Sequence, residues 1–235
     1  MRLIFLPVKK KGNKNQKIRV AREAANLIED EMIVGVGTGS TVKFFIEELG
    51  KKVSKGYDIH AVCTSYQTKE RVAGKGINIV GLSDIDCVDI AVDGADQVDK
   101  SLNAIKGGGG AHFREKVVAT YSDNFVIIVD QSKVSNSLDT PVPIEVVPFA
   151  YEPIKKRIMN LGGNPKLRQA VKKDGPVISE NGNMILDCDF GIIKNPVNLS
   201  EKLDSLPGII EHGIFCNTTD CVYVGKDSSI EVLDK

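Results

Sequence analysis

The chain has 235 residues, of which 42% are hydrophobic and 26% are charged, a composition typical of a globular protein with one large or two modest domains. Lysine plus arginine and aspartate plus glutamate each number 31, so the chain lacks the positive excess that sequence-independent nucleic-acid binding requires. No apolar run approaches the roughly 20 residues of a membrane-spanning helix. We therefore expect neither a nucleic acid nor a membrane as a partner.

The cysteines and histidines argue against a metal site. The five cysteines are odd in number, widely scattered and form no CxxC pair, which is typical neither of a disulfide framework nor of a zinc site. This pattern favours a reducing compartment, and we expect the cytoplasm. The three histidines lie outside helical reach of one another, so we predict no metal site.

Helices and strands are predicted to alternate over the first half of the chain. Residues 1–16 put a short apolar run before a lysine cluster, the reverse of the order in a secretory signal, so we predict a flexible extension there. From Lys17 onward, helices are predicted over 17–31, 41–53, 66–76 and 114–122, and strands over 32–36, 59–65, 77–82, 88–92 and 124–129. This alternation predicts an α/β fold with a Rossmann-like, mostly parallel sheet covered by helices on both faces.

The pattern changes near Pro141. Three prolines fall within 140–148, a helical pattern follows over 152–163, and Asn181-Gly182 is a strong hairpin signal between two strand-like runs. The resulting β-α-β-β order predicts a smaller, ferredoxin-like α+β domain over 139–215, which we expect to take part in oligomerisation. Two further strands near the C-terminus, in 216–235, are predicted to rejoin the α/β domain of residues 1–138.

Ligands of an open α/β sheet bind beyond the carboxyl ends of the strands, and the first loop there is GVGTGST, residues 35–41. Its small residues expose backbone amides at the start of a helix, and Ser40 and Thr41 add hydroxyls, so it suits an anion, most simply a phosphate. The glycine spacing matches neither the dinucleotide nor the P-loop fingerprint, so no nucleotide cofactor is implied. The alternative is a tight turn capped by Ser40 or Thr41.

A second loop begins with the sequence DGAD after the strand 88–92. Asp93 and Asp96 stand at this strand end, where a single aspartate is more often a cap than a catalyst. Lys106 then precedes four glycines, and Glu115 follows in the first turns of a helix. Four consecutive glycines cost backbone entropy, which indicates that the chain passes close to a ligand.

A third loop, DQSK, places Lys133 after the strand 124–129, where a lone lysine is usually a surface group. Together the three loops combine a phosphate cradle, carboxylates, a cation and a glycine-lined floor. This combination suits proton transfer on a small phosphorylated carbonyl compound, because a carboxylate base and a nearby ammonium group can stabilise an enediolate.

At these residues the chain resembles the ribose-5-phosphate isomerases of type A. The resemblance runs from about Lys17 to the C-terminus and is carried by GVGTGST, TSYQT, VDGADQVD, IKGGGGAHFREK, VDQSK, PVPIEVVPFAY, GPVISENGNMILD and LPGIIEHGIF, in the family's order. It implies interconversion of ribose 5-phosphate and ribulose 5-phosphate in the pentose phosphate pathway, without a metal or any other cofactor. It also implies a homodimer or homotetramer whose ligand is a sugar phosphate.

The resemblance implies a role for each motif residue. Glu115 is the base that moves the proton between C1 and C2, Asp93 and Asp96 bind sugar hydroxyls and assist ring opening, and Lys106 stabilises the oxyanion. Substrate and phosphate contacts are implied for Lys17, Thr38, Gly39, Ser40, Thr41, Gly94, Ala95, Gly107, Gly108, Gly109 and Lys133.

Two departures and two rival interpretations accompany the resemblance. Gln97 and Gln131 stand where the family usually has glutamate, which removes charge beside the site and predicts altered affinity or pH optimum.

The rivals are a sugar-phosphate sensor, for which we expect the residues before Lys17 to be too few for a DNA-binding module, and an amino-sugar phosphate deaminase, which the DGAD and KGGGG motifs disfavour. His112 is not needed by the family, and we expect no catalytic role for it.

Overall fold

The computed structural model describes residues 13–235, so residues 1–12 of the predicted extension lie outside it. The helices are α1 Lys14–Asn26, α2 Val42–Val53, α3 Tyr66–Ala73, α4 His112–Thr120, α5 Tyr151–Asn160 and α6 Pro196–Asp204. The strands are β1 Ile33–Val36, β2 His60–Cys63, β3 Asn78–Ile79, β4 Val88–Asp93, β5 Gln97–Val98, β6 Ala104–Ile105, β7 Ser122–Asp130, β8 Val142–Val146, β9 Asn164–Leu167, β10 Met184–Asp189, β11 Ile209–His212, β12 Ile214–Phe215, β13 Cys221–Gly225 and β14 Ile230–Asp234.

A seven-stranded sheet in the order β14-β13-β7-β4-β1-β2-β3 forms the larger layer. Its neighbouring strands are parallel except for the β13–β14 pair. Along β7, Val126 and Ile128 pack toward α1 and α2, whereas Phe125 and Ile127 pack toward α4 on the other face. Because side chains alternate between the faces of a strand, this continuous apolar run is buried on both sides. The predicted α/β fold is confirmed, and β13 and β14 form one edge of this sheet.

A smaller antiparallel sheet in the order β11-β8-β10-β9 follows in the chain. Helix α5 connects β8 to β9 and α6 connects β10 to β11, which is the βαββαβ order of a ferredoxin-like unit. Ile144 and Leu186 of this sheet are buried against Ile158 of α5. At the predicted hairpin, Gly182 has a φ of 83°, but the strand before it is reduced to one bridge between Ile178 and Met184.

Two details differ from the prediction. Residues 14–16, placed in the extension, belong to α1, because Asn13 caps the helix and the buried Gln16 side chain hydrogen-bonds to Asp227. A third sheet, β12-β6-β5, was not predicted, since strands of two residues carry no detectable periodicity. Within residues 13–235, no helix is both long and apolar enough to cross a membrane.

Candidate active site

A cavity of about 120 Å³ lies where the neighbouring parallel strands β7, β4 and β1 end. Its lining consists of Thr38–Thr41, Gly94–Asp96, Lys106–Gly109, Glu115 and Lys133. All of these residues were predicted as site residues, so the structure brings the three loops together as expected. Two other predicted residues, Asp93 and Lys17, lie close by but do not line this cavity.

Three buried charged side chains meet at the floor of the cavity. Asp93, Lys106 and Glu115 are only 2%, 2% and 4% exposed. Lys106 Nζ lies 2.7 Å from Asp93 Oδ2 and 3.2 Å from Glu115 Oε2, and it donates a hydrogen bond of 2.5 Å to the Gly94 carbonyl oxygen. The single ammonium group is therefore held between two carboxylates away from bulk water.

Burial changes the protonation of all three groups. It raises the pKa of Glu115 to about 8, with a further contribution from the negative charge of Asp93, and it also raises the pKa of Asp93. For Lys106, burial favours loss of the proton, but the two carboxylates outweigh burial and raise its pKa. Lys106 thus stays charged, while Glu115 exchanges protons near the working pH of a general base.

The two aspartates occupy different positions. Asp93 lies behind Lys106, and its Oδ1 accepts hydrogen bonds from the Thr38 and Gly94 amides at 3.0 and 2.7 Å. Both of its carboxylate oxygens are therefore engaged within the protein. Asp96 is half-buried, lines the cavity and accepts a 2.7 Å hydrogen bond from the Gly108 amide. Asp96 is thus the aspartate that a ligand in the cavity can reach.

The glycine loop has its composition because of what surrounds it. Gly107 has a φ of 97°, and a Cβ there would lie 2.7 Å from His112 Nδ1. A Cβ at Gly108 would lie 2.5 Å from Asp96 Oδ1. His112 is fully buried behind the loop, and burial lowers its pKa to about 3, so it stays neutral and outside the cavity.

The residues of the predicted anion site also line the cavity. Helix α2 begins directly after Thr41, and the Thr41 side chain makes no hydrogen bond that caps the helix. The alternative interpretation, in which this hydroxyl only caps the turn, therefore does not hold for Thr41. Ser40 Oγ accepts a 2.8 Å hydrogen bond from Lys17 Nζ, which reaches over from α1. Lys133 lies in the single 3-10 turn that follows β7. Hydroxyls, lysines and a helix N-terminus therefore converge as a phosphate requires.

The sequence interpretation missed the residues that orient Thr38. Its hydroxyl lies 2.9 Å from Thr64 Oγ1, 2.8 Å from Ser65 Oγ and 3.2 Å from Thr68 Oγ1. These residues belong to the TSYQT motif, so the motif carried the signal although no role was assigned to it. Gln97, one of the two departures, binds Asp139 through its side-chain amide at 2.6 Å rather than facing the cavity.

A second missed group is Arg168, which follows β9 and donates hydrogen bonds to the carbonyl oxygens of Gly107 and Gly108 at 3.0 and 3.3 Å. No periodicity or motif spacing connects Arg168 with a glycine loop 61 residues earlier in the chain. The smaller sheet therefore contacts the back of the active-site loop.

Comparisons with known proteins agree with this geometry. The family model of ribose 5-phosphate isomerase A (phosphoriboisomerase A) matches residues 60–229. The ribose-5-phosphate isomerase A of Methanosarcina acetivorans is 51% identical over 213 residues, which cover 90% of this chain and 91% of that protein.

Two solved structures are also similar. The ribose 5-phosphate isomerase A of Methanocaldococcus jannaschii matches with a TM-score of 0.91 and 39% identity, over 95% of this chain and all of that chain. A D-ribose-5-phosphate isomerase in complex with phospho-erythronic acid matches with a TM-score of 0.92 and 42% identity, over 94% of this chain and 98% of that chain. The family resemblance of the motifs is confirmed: the chain belongs to the ribose 5-phosphate isomerase A family.

Proposed function

We propose that the protein interconverts ribose 5-phosphate and ribulose 5-phosphate, as an aldose–ketose isomerase of the non-oxidative pentose phosphate pathway. The observation that carries this proposal is the buried Lys106 ammonium group between Asp93 and Glu115, on the floor of a cavity whose other end suits a phosphate. A base beside a fixed cation is what formation of an enediolate requires.

Substrate binding divides between the two ends of the cavity. Ser40, Thr41 and Lys133 hold the phosphate, with Lys17 reaching it past Ser40. Thr38, Gly39, Gly94 and Ala95 line the walls around the sugar. This arrangement presents C1 and C2 of the open-chain sugar to the buried charges.

The proton transfer follows from the positions of the charged groups. Glu115 removes the proton from C2, and the electron pair moves to O1 to give an enediolate. Lys106 and the backbone amides of the glycine loop stabilise the negative charge. Glu115 then returns the proton to C1, while the proton of the C2 hydroxyl moves to O1, so that O2 becomes the ketone oxygen. Asp96 orients the hydroxyls and assists ring opening, and Asp93 acts by holding Lys106.

Incubation of the purified protein with ribose 5-phosphate tests the proposal directly. We expect ribulose 5-phosphate to accumulate until the aldose–ketose equilibrium is reached. Binding of the sugar phosphate without turnover from pH 6 to pH 9 would favour the sensor interpretation instead. Release of ammonia from an amino-sugar phosphate would favour the deaminase.

Lys133→Ala is expected to raise KM and to change kcat little. The substitution removes a charge-assisted hydrogen bond to the phosphate, worth roughly 1.5 to 3 kcal/mol, which is present in both the ground state and the transition state. Steady-state kinetics on ribose 5-phosphate measures both constants, and Lys100→Ala, at an exposed lysine, is the matched control. An unchanged KM in the Lys133 variant would identify Lys133 as an ordinary surface residue.

Activity is expected to survive exhaustive chelation, because the lysine supplies the positive charge that a metal would otherwise provide. Within residues 13–235, the two groups of three ligating side chains that come close together lie outside the cavity. One of them contains Glu211, which already pairs with Lys116 Nζ at 2.5 Å. Loss of turnover on chelation, with recovery on adding a divalent ion, would contradict this expectation.

Domain division, assembly and compartment are also proposals. The core of the smaller sheet supports a separate α+β domain over 139–215 beside an α/β domain of residues up to 138 and from 216 onward. Phe149, 97% exposed, and Ile192, 66% exposed, are large apolar side chains on the surface of this domain, through which we propose that a homodimer or homotetramer forms. The five free thiols support a cytoplasmic location. The balanced charge supports the absence of a nucleic-acid partner.

A further inference from the structure

Arg168 connects the smaller sheet to the glycine loop through a two-sided set of hydrogen bonds. On one side, Nη1 donates to the carbonyl oxygens of Gly107 and Gly108. On the other side, Nε donates to Asp187 Oδ2 at 2.9 Å and Nη2 donates to Asp187 Oδ1. The guanidinium group is thus fixed by a bidentate ion pair and is only 15% exposed.

These contacts determine which way the loop amides point. In a trans peptide the carbonyl and the following amide point in opposite directions. Because the Gly107 and Gly108 carbonyls face Arg168, the amides of Gly108 and Gly109 face the other side of the loop. The Gly108 amide accordingly binds Asp96, and Gly109 lines the cavity beside Lys106.

The Gly107–Gly108 peptide is also held by other contacts, since the Gly107 carbonyl accepts a 2.9 Å hydrogen bond from the Gly110 amide and the Gly108 amide binds Asp96. For the Gly108–Gly109 peptide, the hydrogen bond found among the described residues comes from Arg168. Glycine reaches both signs of φ at similar cost, so side-chain sterics do not prevent a peptide in the loop from flipping. A flip at Gly108 would turn a carbonyl dipole toward the position of the developing oxyanion and would remove an amide donor there. The hydrogen bond that the Arg168 guanidinium group donates to the Gly108 carbonyl opposes that flip.

We propose that Arg168, oriented by Asp187, is a positioning residue that keeps the Gly108–Gly109 peptide turned so that the Gly109 amide faces the enediolate. This proposal rests on the proposed isomerase function and adds a residue from outside the cavity. It gives the smaller sheet a part in catalysis, since Asp187 lies on β10 and Arg168 directly after β9.

Arg168→Met, Arg168→Lys and Asp187→Asn test the proposal in the full-length protein. We expect Arg168→Met to lower kcat by about 10- to 100-fold, as a displaced catalytic group does. KM for ribose 5-phosphate should stay within about threefold, because the phosphate contacts are untouched. Arg168→Lys should keep part of the activity, since an ammonium group can donate to one carbonyl but cannot reproduce the planar fork. Asp187→Asn should lower kcat less than Arg168→Met does.

Affinity for phospho-erythronic acid supplies a readout that a purely structural role would not change. Its planar, charged carboxylate resembles the enediolate, so Arg168→Met should weaken its binding by about the same factor as kcat, measured calorimetrically on folded protein. The matched control is Lys166→Met, which removes an exposed cation on β9 opposite Asp187 without touching the glycine loop.

The experiments give different results if the proposed isomerase function is wrong and if only the positioning role of Arg168 is wrong. A wild-type protein without turnover would overturn the proposed function itself. An active wild type with an Arg168→Met variant of unchanged kcat and analogue affinity would overturn only the positioning role, as would an equal loss in Lys166→Met. If Arg168→Met does not fold, the same two constants in Arg168→Lys and Asp187→Asn decide the question, and wild-type values in both would overturn the role.

Discussion

Glu115→Gln is expected to lower kcat by about 10²- to 10⁴-fold while KM changes little, because the substitution keeps the size of the side chain and removes the base. A first-turn glutamate on an exposed helix would contribute only about 0.3 to 1 kcal/mol to stability through the helix dipole. Glu115 is instead buried beside Lys106 at the cavity floor, a position that a purely structural glutamate does not need. The magnitude of the kcat loss therefore distinguishes the two roles.

Solvent exchange isolates the chemical step of the same variant. Wild-type protein should exchange the C2 proton of ribose 5-phosphate with deuterium from the solvent, and Glu115→Gln should abolish the exchange as followed by proton NMR. Glu152→Gln is the matched control, since Glu152 is an exposed glutamate in the first turn of α5. If Glu115→Gln kept its turnover while Asp93→Asn or Asp96→Asn lost it, the base would be one of the aspartates.

Glu115→Gln is also expected to be more stable than the wild type at alkaline pH. Burial raises the pKa of Glu115 from 4.5 to about 8 in the folded protein, so the unfolded chain releases this proton at a lower pH than the folded chain does. The free energy of unfolding of the wild type therefore falls as pH rises from 4.5 to about 8, and glutamine removes that loss. A melting temperature at pH 8 no higher than that of the wild type would contradict the raised pKa.

The parts of this molecule that could be predicted from sequence are those in which a local pattern determines the structure. Apolar runs such as 124–129 identify strands of a parallel sheet, and the ends of parallel strands meet at one edge, so the three loops could be placed together. Contacts that depend on side-chain direction could not be predicted. The hydrogen bond that Asp93 accepts from the Thr38 amide, 55 residues earlier in the chain, is one of them.

Lys106→Met is expected to lower the free energy of unfolding by about 3 to 5 kcal/mol, because it removes the cation from between two buried carboxylates and leaves both uncompensated. It should also lower kcat by about 10²- to 10³-fold through loss of the charge that faces the oxyanion. Urea unfolding followed by circular dichroism measures the first effect, since the chain has no tryptophan to report on it. Lys226→Met, which breaks a surface pair of 2.8 Å with Glu231, should change the free energy of unfolding by about 1 kcal/mol or less.

The loss of unfolding free energy in Lys106→Met should increase with pH, because the two carboxyl groups that it leaves without a partner are buried. Without the ammonium group, burial raises the pKa values of Asp93 and Glu115 further, so both groups are protonated in the folded variant at pH 5 and resist ionisation at pH 8. A carboxyl group with a raised pKa in the folded state destabilises the fold as pH rises. The difference in free energy of unfolding between wild type and variant should therefore be larger at pH 8 than at pH 5.

A double and a triple variant separate the loss of charge balance from the loss of packing. Adding Glu115→Gln to Lys106→Met removes one uncompensated carboxylate, so the double variant should be more stable at pH 8 than Lys106→Met alone. Adding Asp93→Asn as well leaves a neutral cluster of nearly the same volume, which should regain most of the remaining loss. Because the three side chains touch, these effects should be strongly non-additive. Equal losses at pH 5 and pH 8, with no recovery in the double variant, would show that Lys106 contributes through packing of its aliphatic chain rather than through its charge.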